Sequence, residues 1–454
     1  MKKMCLRKIM SVAMLCLATG IAHAQKSAAD LQRELNEMAK NGASQEEIIE
    51  MMQKIAGQDE TIKKAMEMSR KFMAEQALSN TPLTTAARNG DVAEVERLIK
   101  EGADVNAVDG TFDFTPLMHA AQHNRADIAK LLINAGAKVN QKNKNDVSAL
   151  FVACSSNAPD VAKLLIAAGA DINYLQKGDG ATPLSVASRD VCFETAKVLV
   201  EAGADVNKRI NSIIREDKRT ALMEAAGNGA TKVVKLLIGA GAEVNARDIN
   251  GMTPLMYWGW GGGNSDGAVE LGRMLIAAKA DVNAKDKDGN TALMVLASSE
   301  SPVSIKLLID AGANVNAKNN EGMSSLMHAS YKRGDGARGV KVLIEAKADL
   351  NAQDKYGRTA LMLAARRNCA KVARLLLASG ANPNIQDMNG STALMHAATA
   401  YDGGPEVAQV IVAGGANLNI RNKDGRTALW VAENTSGVVA DGVAEVVRRA
   451  GGKK

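Results

Sequence analysis

Apolar residues along this chain recur at two nested periods. At short range the spacing is helical. Leu117, Ala120 and Ala121 share one face, a polar break follows at His123 and Asn124, and Ile128, Leu131, Leu132 and Ile133 share a second face. Two short amphipathic helices back to back are therefore predicted. At long range the same block returns every 33 to 38 residues. It is marked by Gly/Lys-Ala-x-x-Asn or a close variant ending at Asn106, Asn140, Asn173, Asn207, Asn245, Asn283, Asn316, Asn351, Asn384 and Asn419. A period near 33 predicts a solenoid, in which each unit buries its apolar face only against its neighbours.

The unit has local punctuation. Thr115 stands where a helix N-cap accepts from an orphan amide, and Pro116 occupies the first helical position, where a missing N–H costs nothing. Gly136 closes the second helix at a site that favours positive φ. Counting the openings at Thr81, Thr115, Ser148, Thr182, Thr220, Thr253, Thr291, Ser324, Thr359, Thr392 and Thr427 gives eleven helix pairs.

The Thr-Pro/Ala-Leu openings, the paired alanines (Ala86-Ala87, Ala225-Ala226, Ala364-Ala365), the Gly-Ala-Asp-Val-Asn ends and the turn glycines Gly251, Gly289, Gly322, Gly357, Gly390 and Gly425 resemble the ankyrin repeat family over residues 81–452. That resemblance implies an all-α solenoid of about eleven helix-turn-helix units with hairpin fingers. At ~10 Å per unit it would extend roughly 110 Å. It also implies binding of a protein partner across a concave groove and the fingers. One departure is consistent: the family's usual His after Thr-Pro-Leu is Met here at Met118, Met223, Met256, Met294, Met327, Met362 and Met395, so the polar bridge of that His should be missing.

Residues 1–24 read as a signal peptide. Lys2, Lys3, Arg7 and Lys8 precede a short apolar stretch, and Ala22-His23-Ala24 is an A-x-A cleavage site before Gln25. A periplasmic or secreted, bacterial protein is expected, with no integral membrane span in the mature chain. Residues 25–80 read as three short helices broken by Asn41-Gly42 and Gly57, a cap for the first repeat or a docking segment.

Export changes the charge picture. The net +6 of the full chain includes four cations lost with the signal, leaving +2, so nucleic acid is not an indicated partner. Three cysteines remain, Cys154, Cys192 and Cys369. They fit small buried hydrophobes; a Cys154–Cys192 bridge between adjacent repeats is the alternative.

Catalytic chemistry is not indicated. The chain has no His-Glu-x-x-His, Cys-x-x-Cys or P-loop pattern. Asp286-Lys287-Asp288-Gly289 opens like a calcium loop, but its twelfth position is Ala297 where a bidentate Glu is needed. No enzyme activity, cofactor or metal is expected. His119, His328 and His396 fall four residues after an opening Thr or Ser in separate repeats, as a fold position.

The expected binding surface lies seven residues after each opening Thr or Ser. That position carries Arg189, Trp260, Tyr331 and Arg366 among others, of residue types that dominate interfaces; Tyr257 and Trp258 lie beside Trp260. Trp258 occupies an alanine position, so it must distort its repeat, point outward or fill a gap against the glycine-rich stretch after it. Insertions at 208–219, 260–269, 333–339 and 401–405 mark further candidate contact loops. Cations at the fingers (Lys142, Lys144, Lys287, Lys318, Lys355, Arg358, Lys423, Arg426) are solvated tips or fit an acidic partner. The resulting expectation is a monomeric protein-binding scaffold outside the cytoplasm. Its alternatives are an inhibitor or immunity-like protein occluding one target, or an oligomeric structural spacer of the envelope.

Overall fold

The structure, a computed structural model, describes residues 81–454 apart from 111, 211–217, 262–265, 298–300, 332–336 and 401–404. The expectations for residues 1–24 and 25–80, and the middles of the four insertions, lie outside the described residues. The chain divides into two compact units, residues 1–116 and 117–454.

In the first unit, α1 (Pro82–Asn89) is capped by Thr81, whose Oγ1 accepts from the Thr84 amide at 3.1 Å. α2 (Val92–Lys100) is capped by Asp91. On its solvent face Arg97 bridges Glu94 and Glu101, a pairing that water and salt screen.

In the second unit the first helices of successive repeats are α3 (Pro116–Gln122), α5 (Ala149–Ser155), α7 (Pro183–Arg189), α9 (Ala221–Gly227), α11 (Pro254–Trp260), α13 (Ala292–Ala297), α15 (Ser325–Tyr331), α17 (Ala360–Arg366), α19 (Ala393–Ala398) and α21 (Ala428–Glu433). The second helices are α4 (Ala126–Asn134), α6 (Pro159–Ala167), α8 (Phe193–Glu201), α10 (Thr231–Gly239), α12 (Asp266–Ala277), α14 (Pro302–Asp310), α16 (Ala337–Glu345), α18 (Ala370–Ala378), α20 (Glu406–Ala413) and α22 (Val438–Arg449). First helices pack on first helices from α5 to α21, and second on second from α4 to α22. Among the described residues regular structure is entirely helical, with a single isolated bridge between Lys142 and Ser148.

The core follows the pattern closely. Ile128, Ala129 and Leu132 are fully buried in α4, whereas Leu131 and Ile133 are half-buried, because a helix in a two-layer stack shields only part of its apolar arc. The seven methionines that replace the family's His are buried. At α9 the Thr220 amide donates to the Met223 thioether at 3.5 Å, so sulfur takes part of the capping role.

The asparagine that marks the period is a clip between repeats. Asn245 donates through Nδ2 to the Lys279 carbonyl at 3.0 Å, and its Oδ1 accepts from the Asp281 amide at 2.8 Å. Asn140, Asn207, Asn283 and Asn316 make the same two bonds to the next repeat. Each net contribution is about 1 kcal/mol. The sequence reading missed a second clip, two residues further on, where the side chain is long and ends in a donor. Arg247 Nη1 donates to the Gly251 and Lys285 carbonyls, Lys285 Nζ to Lys318, and Gln386 Nε2 to Gly390 and Arg421. Its signal is legible afterwards: Asn-x-Arg/Lys/Gln-Asp/Asn at every finger from 245 to 422.

The fingers from 248 to 426 stack through their backbones. Lys287 N donates to Asn250 O, Lys355 N to Glu321 O, and Lys423 N to Asn389 O. This is why the tip must be glycine twice over. Gly390 has φ 75°, and a Cβ there would come within 2.8 Å of the Lys423 amide nitrogen. Gly425 has the same φ and nothing within 4 Å. Gly390→Ala should therefore lower the chemical-denaturation midpoint more than Gly425→Ala. Both bear the positive-φ cost of roughly 1 kcal/mol, but only the first also pushes a neighbouring finger away. Equal losses would show that the finger ladder contributes nothing.

Cys154, Cys192 and Cys369 are buried, and none is in a disulfide among the described residues. The Cys192 thiol lies 3.8 Å from the Ser155 carbonyl of the preceding repeat, and burial pushes the Cys154 thiol well above its ordinary range. The buried-hydrophobe reading fits; no bridge joins Cys154 to Cys192.

Candidate functional site

The position seven residues after the opening Thr or Ser is the last residue of a first helix in α3, α5, α7, α9, α11, α15 and α17. In a short helix packed on both sides, only this end is released from packing, so its residue type is free to vary. Arg189 ends α7, is exposed, and pairs with Asp190 at 3.1 Å. Trp260 ends α11 and is 70% exposed, the largest apolar side chain left open at this register. Tyr331 ends α15 and Arg366 ends α17; both are half-buried.

These residues form a line along successive helix ends. They do not converge on one pocket, since α9 lies between α7 and α11, and α13 between α11 and α15. Two contacts organise the line. Tyr257, one turn before Trp260, has its ring centroid 6.3 Å away at 38°, while its hydroxyl donates to Asp248 Oδ2 at 2.8 Å. Tyr257 is thereby fixed by its own finger and supports Trp260 from beneath. Further along, the Arg367 guanidinium lies 4.0 Å over the Tyr331 ring. Arg367 was missed because only the residue before it falls on the repeating position; its signal is the Arg366-Arg367 doublet one repeat after an aromatic.

Gly227 ends α9 beside this aromatic pair. A Cβ added there would touch the Tyr257 ring at 3.5 Å, and Gly261 lies directly on the Gly227 backbone. The edge between Arg189 and Trp260 is thus floored by backbone. The loop after α7 holds a strained residue: Val191 has φ 60° and is half exposed, where Asn124, Asn157, Gly229 and Asn368 stand at the equivalent turn. A β-branched residue in that region costs on the order of 1–3 kcal/mol.

Trp258 does not point outward. It is 1% exposed, its indole N–H donates to the Ala268 carbonyl at 2.6 Å, and its ring lies against Gly272. Gly272 stands where Ala129, Ala162 and Ala373 stand in other repeats, so a missing methyl on the second helix makes room for an indole on the first.

The fingertip cations are largely engaged within the fold. Lys355 pairs with Glu321 of the preceding finger, Arg358 with Asp354, and Arg426 with Asp424. Lys318 donates to the Gln353 carbonyl, and Lys142 lies over the Tyr174 ring. At these five positions the cation is part of the fold's own contacts. The Asp286 carboxylate is likewise occupied: Oδ1 accepts from the Asp288 and Asn290 amides and Oδ2 from the Asn290 side chain. Among the described residues no cluster of three His, Cys, Asp or Glu side chains could hold a metal ion.

The histidines serve the fold. His396 Nε2 is 2.8 Å from Asp387 Oδ2, the same reach from helix to finger that Tyr257 makes to Asp248. Burial pushes the Asp387 carboxyl up, but the bonds from His396 and from the Ser391 and Asn389 amides outweigh it, leaving the group below its usual range. Burial pushes the His328 imidazole down.

A family model described as ankyrin repeats (three copies) matches residues 37–143, 136–210, 209–259, 264–354, 334–422 and 361–441. A 2-5A-dependent ribonuclease of Mus musculus is 38% identical over 74 residues, 16% of this chain and 10% of that protein. A putative ankyrin repeat protein of Rickettsia felis is 36% identical over 81 residues, 18% and 36% of the two chains. The ankyrin repeat and SAM domain-containing protein 6 of Rattus norvegicus is 39% identical over 69 residues, 15% and 8%. The chain thus spans between 8% and 36% of the length of these relatives. A crystal structure of the human ASB11 ankyrin repeat domain overlaps 52% of this chain and 99% of its own, at 25% identity and a TM-score of 0.45.

Proposed function

We propose, since this chain belongs to the ankyrin-repeat family, whose repeats are protein-binding scaffolds, that it acts outside the cytoplasm as a scaffold for one partner protein. Recognition runs along the ends of the first helices, centred on Trp260. The observation that carries this reading is the 70% exposure of Trp260 at the one register the stack leaves free, on a tyrosine already anchored to its own finger. An indole kept in water by a rigid support contributes contact area without needing to be ordered on binding, as interface anchors do. The leader-like first 24 residues support export. Arg189, Tyr331 and Arg366 extend the contact to either side.

The test is cross-linking capture from the envelope fraction of the source cell, using the full chain beside a Trp260→Ala/Tyr331→Ala/Arg366→Ala variant. Capture of one protein by the wild type and its loss with the folded variant supports the edge; equal capture by both contradicts it.

A further inference from the structure

The exposed face of the second-helix row is not uniform in charge. On α4, α6 and α8 the cations Lys130, Lys163 and Lys197 are matched by Asp127, Asp160, Glu194 and Glu201. From α10 to α18 the balance changes. α10 carries Lys232 and Lys235, and α18 carries Lys371 and Arg374; neither helix contains an acid. α12 adds Arg273, α14 adds Lys306, and α16 adds Arg338 and Lys341. All eight side chains are exposed, against four acids on these helices, of which Asp310 and Glu345 pair with Lys306 and Lys341. The doublets on α10, α16 and α18 are spaced i, i+3, so each lies one turn apart on one side of its helix. The five helices pack consecutively, at about 10 Å apart, so Lys235, Arg273, Lys306, Lys341 and Arg374 form one continuous row, beside a second of Lys232, Arg338 and Lys371 that Glu270 and Val303 interrupt.

We propose that this face of α10–α18 lies against the anionic headgroups of a lipid bilayer. Charge complementarity is the basis. The cations are distributed over a surface of successive helices, with one of them, Lys232, 5.8 Å over the Phe193 ring, and such a spread suits many identical anions in a plane. Val303, on the middle helix, is 55% exposed among them and can enter the headgroup layer. No helix among the described residues is long and apolar enough to cross a membrane, so the attachment is peripheral and electrostatic. It would leave the helix ends around Trp260, on the other row, free for the protein partner.

The experiment is co-sedimentation of the full chain with phosphatidylcholine vesicles, with and without about a third phosphatidylglycerol, at low and at high salt. The comparison variant is Lys232→Gln/Lys235→Gln/Arg338→Gln/Arg374→Gln, and the control is Lys130→Gln/Lys163→Gln/Lys197→Gln; circular dichroism and melting confirm that both fold. Binding only to the anionic vesicles, lost at high salt, weakened on the order of a hundredfold in the first variant and little changed in the control, supports the proposal. Equal binding to both vesicle types, an equal loss in the two variants, no binding at all, or tight binding of soluble inorganic polyphosphate without vesicle binding each overturns it. None of these outcomes depends on Trp260, so the scaffold reading stands or falls separately.

Discussion

Trp258→Ala should destabilise the protein by about 3–5 kcal/mol, the usual cost of removing a fully buried tryptophan and leaving the cavity. Gly272→Ala should also destabilise it, because the added Cβ would come within 2.4 Å of the Trp258 ring and the indole is held in place by its bond to Ala268. Overpacking of that kind costs about 1–3 kcal/mol. The informative variant is the double. Trp258→Ala/Gly272→Ala restores the alanine pairing that Ala120 and Ala129 show in a regular repeat, so the methyl fills part of the space the indole leaves. The double variant should be more stable than Trp258→Ala alone, with a coupling of about 1–3 kcal/mol. Denaturant titration of all four proteins, with the slope checked because repeat arrays can unfold in parts, gives the answer. Additive losses would mean that the two sites do not share one cavity.

Trp260→Ala should behave in the opposite way. Trp260 is mostly in water and lies against the Tyr257 ring, so its loss should change stability by less than about 0.5 kcal/mol. Partner affinity should fall by about 2 kcal/mol or more, roughly thirtyfold, as for a buried interface anchor. Tyr257→Phe separates support from contact: it removes the bond to Asp248 while keeping the ring, and should cost less affinity than Trp260→Ala. Calorimetric titration with the captured partner measures both. Tryptophans two positions apart in one helix thus have opposite surroundings, one buried and one in water.

Much of this was legible in the chain. The apolar spacing, the opening Thr or Ser and the closing glycine are local signals, and the eleven helix pairs follow from them. The period asparagine was legible as a mark but not as a clip, because its partners, such as Lys279 and Asp281 for Asn245, lie in the next repeat. Trp258 shows the limit most clearly. An indole at an alanine position reads as a misfit until Gly272, fourteen residues later, is known to lie against it. The pairing of the fingertip cations was illegible for the same reason: Glu321 meets Lys355 across a finger boundary that the sequence does not draw. For the site, the position was legible from its irregularity, whereas the support of Trp260 by Tyr257 and the cover of Tyr331 by Arg367 are tertiary.

The central claim is that a partner protein meets the chain at the helix end carrying Trp260. The most direct measurement places a photoactivatable aromatic residue, which keeps a large ring where the indole stood, at position 260 and, in separate chains, at the fingertip position 424 and the second-helix position 235, then irradiates each in the source cells. A protein adduct that forms strongly from 260 and weakly from 424 and 235 is the expected result. An adduct from 424 or 235 with none from 260 would contradict the account.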